Sequence, residues 1–166
     1  MHWYVIFVET GSEDNVLQFL HYFVPNIQAL IPKRVIPEKK GGEFKKVLKN
    51  LFPGYILIHT QLNDETYHKL IHIPHLIRIL GYDTYYSPID EAEIAIILKL
   101  VNHEGIIDNS KVFIENSVVE VIEGPLKGLE GLIVRVNKHT RRVKIKLYFM
   151  GEARVIEVGI EILQTR

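Results

Sequence analysis

Arg142-Val143-Lys144-Ile145-Lys146-Leu147-Tyr148 alternates charged and apolar side chains until its closing tyrosine. A period of two marks a strand with one buried face, because successive side chains of an extended chain point to opposite sides. Val143, Ile145 and Leu147 then turn inward, while Arg142, Lys144, Lys146 and Tyr148 share the outer face. The period is wrong for an amphipathic helix, and the nearby β-branched Val134, Val136, Val155 and Val158 have low helix propensity. Outward from this strand, turns are expected at Gly124-Pro125, at Gly128, from Lys138 to Arg141 and at Met150-Gly151. Short strands at that spacing, with no helical segment between them, predict a small five-stranded β-barrel over residues 118–166.

Upstream the periods mix. Trp3 to Glu9 reads as a buried strand, followed by a helix that Ser12 caps, Glu13 and Asp14 favour through its dipole, and Pro25 stops. A second strand is expected from Ala29 to Ile36, a polar turn from Glu38 to Glu43, and a return from Phe44 to Phe52. Tyr55 to Thr60 reads as a strand, Asn63 to His72 as a helix capped by Asn63 or Asp64, and Ile77 to Leu80 as a further strand. Asp90 opens a last helix with Ile94, Ile97, Leu98 and Val101 on one stripe. The fold class is therefore α+β, with helices on a mainly antiparallel sheet over residues 1–102. The polar, glycine-bearing stretch 103–117 reads as a linker to the barrel.

The 166 residues suffice for two small domains, and 47% apolar beside 24% charged residues supports folded cores in both. Basic and acidic residues number 20 each, so only the distribution of charge can point to nucleic acid. Cysteine is absent, which excludes disulfides, thiolate metal sites and thiol nucleophiles and fits a reducing compartment. The first fifteen residues show no basic n-region or small-residue cleavage site, and their apolar run is too short for a membrane span. A soluble cytoplasmic protein is expected.

Between Arg135 and Lys146 the chain carries Arg135, Lys138, Arg141, Arg142, Lys144 and Lys146 with no acid among them. With His139 in the turn and Tyr148 beside the cations, this hairpin has the composition of a phosphate-binding face with a ring for an unpaired base. The competing reading is the solvated side that any small barrel needs. A second group, Lys39, Lys40, Lys45, Lys46 and Lys49, surrounds Gly41-Gly42; since Glu38 and Glu43 are interspersed, it reads as a solvated hairpin tip rather than a nucleic-acid arm. His68 and His72 stand one helical turn apart, but no acid sits between them as in HExxH, and His75 follows Pro74, so no metal site is expected. No glycine-rich phosphate loop or nucleophile elbow occurs, and no catalytic residue or cofactor is expected.

Several tracts in order resemble one family over nearly the whole chain. Trp3-Tyr4-Val5, Ile31-Pro32, Phe52-Pro53-Gly54-Tyr55 and Pro88-Ile89-Asp90 resemble the N-terminal (NGN) domain of the NusG family. Val119-Glu120-Val121-Ile122-Glu123-Gly124-Pro125, Gly128 with Gly131, and Val143-Lys144-Ile145 are similar to its KOW motif. The resemblance implies a non-enzymatic elongation factor whose first domain docks on the clamp helices of RNA polymerase and keeps the enzyme processive. By motif position, Phe7, Tyr55 and Leu57 are carried over to that docking patch, with core packing as the alternative for Phe7 and Leu57. The resemblance also implies an SH3-like KOW barrel that binds either RNA or a ribosomal or termination protein, in a chain acting as a monomer; Phe149 would serve the protein-binding alternative. Gly159-Ile160 and the basic hairpin depart from the housekeeping pattern and are similar to LoaP-type antiterminators, which implies recognition of a leader hairpin in nascent RNA.

Overall fold

A computed structural model describes residues 1–80 and 87–163. Its elements run β1 (His2–Val8), α1 (Glu13–Phe23), β2 (Gln28–Leu30), β3 (Lys33–Lys40), β4 (Glu43–Asn50), β5 (Tyr55–Thr60), α2 (Asp64–Ile71) and β6 (Leu76–Leu80). After residues 81–86 come α3 (Glu91–Leu100), β7 (Ile106–Ile107), β8 (Ser110–Glu115), β9 (Val118–Glu123), β10 (Ile133–Asn137), β11 (Arg142–Phe149) and β12 (Glu152–Ile162). Two compact units result: Met1–Pro32 with Phe52–Ile94, and Lys33–Leu51 with Ala95–Arg166. Among the described residues no helix is long and apolar enough to cross a membrane.

The first unit holds an antiparallel sheet in the order β2-β5-β1-β6. Alternation puts Tyr4, Ile6 and Val8 of β1 and Ile56 and Ile58 of β5 in one core with Val16 and Leu20 of α1 and Leu70 of α2. The helices start where their polar residues predict. The Asn63 carboxamide oxygen accepts the Thr66 N–H at 2.9 Å, and Asp90 accepts those of Ala92 and Glu93 at 2.9 and 3.4 Å. Ser12 occupies the cap position of α1 but makes no side-chain cap bond. On α3 it is Leu100 that is buried, whereas Leu98 is exposed.

The strand expected from Ala29 to Ile36 is two strands. Pro32 lacks an N–H and ends β2, which pairs with β5; β3 then pairs antiparallel with β4 and parallel with β7. The expected turn shrinks to Gly41-Gly42, whose φ values of 59° and 83° are the two positive angles of a tight type I′ hairpin.

The second unit contains the sheets β4-β3-β7 and β10-β11-β12-β8-β9. Five strands form the latter, as a small barrel requires, around Val112, Val121, Val143, Ile145, Leu147, Phe149, Ile156 and Val158. The first of them comes from the stretch read as a linker, since β7 and β8 both lie within 103–117. Asn102, just before this stretch, ties its first residues into a turn. The Asn102 side chain accepts the N–H groups of Glu104 and Ile106 at 2.8 and 3.1 Å and donates to Asp108 at 2.9 Å, while Ile107, Ser110 and Val112 are buried. The last three residues of the expected barrel, 164–166, lie outside the described residues.

Candidate functional site

Strand β11 reproduces the alternation of its sequence: Val143, Ile145, Leu147 and Phe149 are buried, and Lys146 and Tyr148 are exposed. Phe149, expected at a protein-docking loop, is fully buried and belongs to the core. Arg135, Lys138, His139 and Arg141 are exposed, and Lys144 is half-buried. The Lys146 ammonium lies 5.9 Å from the centre of the Tyr148 ring, so cation and aromatic surface occur together on this face. On β10 the register shifts between Ile133 and Arg135, a bulge that leaves Val134 exposed instead of inward.

Neighbouring strands alter the face in a way the run itself could not reveal. Residues paired across an antiparallel ladder share a face, and β12 sets Glu157 opposite Lys144, so a carboxylate enters the cationic surface. Arg142 is not a free phosphate ligand. Its Nε and Nη2 donate to the Pro37 carbonyl of β3 at 3.1 and 2.8 Å, and Nη1 reaches Glu157 at 3.4 Å, with only 20% of the side chain exposed. Arg34 donates to the Glu157 carbonyl. Its guanidinium pKa is lowered chiefly by burial, with Glu157 opposing the shift and Arg142 adding to it. Gly159, opposite Arg142, permits this close packing, because a Cβ there would lie 2.0 Å from Asn109 Oδ1 and 2.8 Å from Pro37 Cδ. Arg142 and Gly159 therefore fasten the β3–β4 hairpin to β12.

In the first unit, Phe52-Pro53-Gly54-Tyr55 forms a turn in which the Tyr55 N–H donates to the Phe52 carbonyl at 3.1 Å and Gly54 holds φ at 88°. Proline followed by a positive-φ glycine is the type II pattern. This turn sets Tyr55 opposite Phe7 on β1, their rings tilted with centres 5.4 Å apart, both half-buried, and the Arg78 guanidinium 6.0 Å from the Phe7 ring. Leu57 takes the other alternative, for it is fully buried.

Glu13, read as a partner of the helix dipole, braces the same turn. It is 3% exposed, and its carboxylate accepts the N–H of Gly11 and, at 3.3 Å, that of Gly54. Glu13→Gln replaces one acceptor oxygen by a donor facing these N–H groups. A loss of about 1.5 kcal/mol is expected in urea unfolding; an unchanged midpoint would show that the carboxylate does not hold the turn.

His68, His72 and His75 do not converge. His68 and His72 line a shallow depression with Phe23, and His75 Nδ1 lies 2.8 Å from Glu9. Among the described residues no group of three or more His, Asp or Glu side chains is placed to hold a metal ion.

The NusG family model, described as "Transcription termination factor nusG", matches residues 1–98, and the KOW motif model matches residues 115–146. "Transcription termination/antitermination protein NusG" of Rickettsia prowazekii is 30% identical over 167 residues, covering 95% of this chain and 86% of the relative. Proteins of the same name from Helicobacter pylori and Pseudomonas aeruginosa are 27% and 26% identical, covering 95% and 94% of this chain and 94% and 93% of the relatives. The solved structure described as "Domain interaction in Thermotoga maritima NusG" is similar at a TM-score of 0.57 and 21% identity, over 95% of this chain and 93% of that one, a likeness of fold.

Proposed function

The chain belongs to the NusG family of transcription factors, and from that premise we propose that it is a specialised, LoaP-type antiterminator acting in the cytoplasm. It binds RNA polymerase through the Phe7–Tyr55 face of its first unit and a leader hairpin of nascent RNA through the exposed cations of its second. It acts by contact alone, without catalysis on a substrate. The observation that carries the RNA assignment is the display of Arg135, Lys138, Arg141 and Lys146 beside Tyr148 on exposed positions of one hairpin. Phe7 and Tyr55 support the polymerase assignment, since paired half-exposed rings on a sheet suit a partner helix.

The test is single-round transcription with purified polymerase over a terminator, with and without the upstream leader. Readthrough should rise only when the leader is present; equal readthrough on both templates would overturn the RNA assignment. Removing Lys138, Lys144 and Lys146 together should lower the slope of log K against log salt for leader RNA by about 2, at ~0.7 per phosphate contact, and weaken binding about 30-fold near physiological salt.

One observation favours a housekeeping factor with a ribosomal or termination protein as partner. A groove of about 1000 Å³ is lined by β9 and β10 residues that include Val118 and Val134, which are 68% and 55% exposed. Val134→Asp would abolish protein docking there, which a pull-down of the partner would show as lost capture; unchanged capture would rule the groove out as the docking site.

A further inference from the structure

The lysines around Gly41-Gly42 look diluted by Glu38 and Glu43 in sequence, yet the strand register sorts the charges. Lys39 pairs with Phe44 and Pro37 with Lys46, so Lys39, Phe44 and Lys46 share one face of the β3–β4 hairpin. Glu38 pairs with Lys45 and Lys40 with Glu43 on the other face, where Glu38 also approaches Lys49 at 4.0 Å. Both hairpin carboxylates thus face lysines across the ladder, and the Phe44 face carries cations alone.

That face continues into the turn between β10 and β11. The Arg141 guanidinium carbon lies 4.0 Å from the centre of the Phe44 ring, and the Lys39 ammonium lies 5.8 Å from it. Beside them opens a cleft of about 640 Å³ lined by Phe44, Lys45, Lys46, Arg141, Asn109 and Glu161. Glu161 of β12 is the carboxylate in this lining, and it also acts on Lys111 of β8, whose pKa it helps to raise. A ring beneath a guanidinium holds it flat, and the opposite guanidinium face then offers a plane on which an unpaired base can stack. Cations on either side would take the flanking phosphates.

We propose that this cleft is a second RNA contact, which takes an unpaired nucleotide against the Arg141–Phe44 stack and its neighbouring phosphates against Lys39 and Lys46. The proposal rests on the reading of the second unit as RNA-binding, and it extends that site from the barrel onto a hairpin roughly a hundred residues away in sequence. Phe44 is a positioning residue: it orients Arg141 and makes no contact with phosphate.

The test uses the full chain and two fluorescent probes, a 12-nucleotide oligouridine and a blunt 12-base-pair RNA duplex, titrated by anisotropy over a range of salt. Phe44→Leu keeps an apolar side chain and removes the ring; it should weaken oligouridine binding about fivefold to tenfold and leave duplex binding unchanged. Lys39→Ala with Lys46→Ala, both at exposed positions, should lower the oligouridine salt slope by about 1.4. A melting curve matching wild type confirms that each variant is folded. If both hairpin variants bind as wild type while loss of Lys138 and Lys146 weakens binding, the cleft assignment is overturned and the barrel site stands. If Phe44→Leu weakens both probes equally, base stacking is overturned. A wild-type chain that binds neither probe overturns the cleft and the RNA reading together.

Discussion

Gly124→Ala is expected to destabilise the second unit by about 3–4 kcal/mol, a loss measurable as a shifted midpoint in urea unfolding followed by circular dichroism. Gly124 holds φ at 114°, a conformation that L side chains rarely adopt, and a Cβ there would lie 2.7 Å from the backbone Cα of Ser110. Backbone cannot step aside as a flexible side chain can, so the collision adds an overpacking cost of about 1–3 kcal/mol to the conformational strain. Ser110 is fully buried, and its hydroxyl accepts the Leu126 N–H at 3.0 Å, so a shift there also strips an N–H inside the core of its partner. A variant with a wild-type midpoint would show that β8 and the turn after β9 are looser than this contact implies.

Arg142→Ala separates a fastening role from an RNA-binding one. It should cost about 3 kcal/mol, because two charged N–H donors leave the Pro37 carbonyl and Glu157 loses one of its neighbouring cations. The salt slope for RNA should stay at its wild-type value, since this guanidinium is already committed within the protein. Arg142→Lys keeps the charge but not the planar fork, and should recover only part of the lost stability. A fully stable Arg142→Ala chain with a reduced salt slope would return Arg142 to the phosphate-binding group.

The elements that could be read in the sequence are those whose reason is local. The alternation of Arg142 to Leu147, the Asp90 cap, the cap expected at Asn63 or Asp64 and found at Asn63, and the proline-glycine turn before Tyr55 each follow from neighbours within a few residues. The FPGY tract and the KOW tract also carried the family resemblance, which the matches over residues 1–98 and 115–146 support.

What escaped depended on partners far away in sequence. Nothing near Arg142 announces Pro37, and nothing in the acid-free run announces Glu157 on the adjoining strand. Gly159 stands out in the sequence as a departure from the housekeeping pattern, and its physical cause, the space needed by Pro37 and Asn109, lies far away along the chain. Glu38 and Glu43, interspersed among the lysines, make the hairpin tip read as a solvated one in sequence, and only strand register separates its two faces. The stretch 103–117 differs from the expected linker for another reason: polar residues such as Asp108, which Asn102 ties into a turn, have the same composition as a tether.

Pro37 and Arg142 are separated by 105 residues, which gives the β3–β4 hairpin a history during synthesis. At about 5–20 residues per second, the ribosome finishes the hairpin roughly 5–20 seconds before it makes the strand that supplies the guanidinium. Through that interval the Pro37 carbonyl stays in water, and a two-stranded ribbon on its own is only marginally stable. The hairpin is accordingly consolidated late, once the C-terminal strands have been made and Arg142 can reach it.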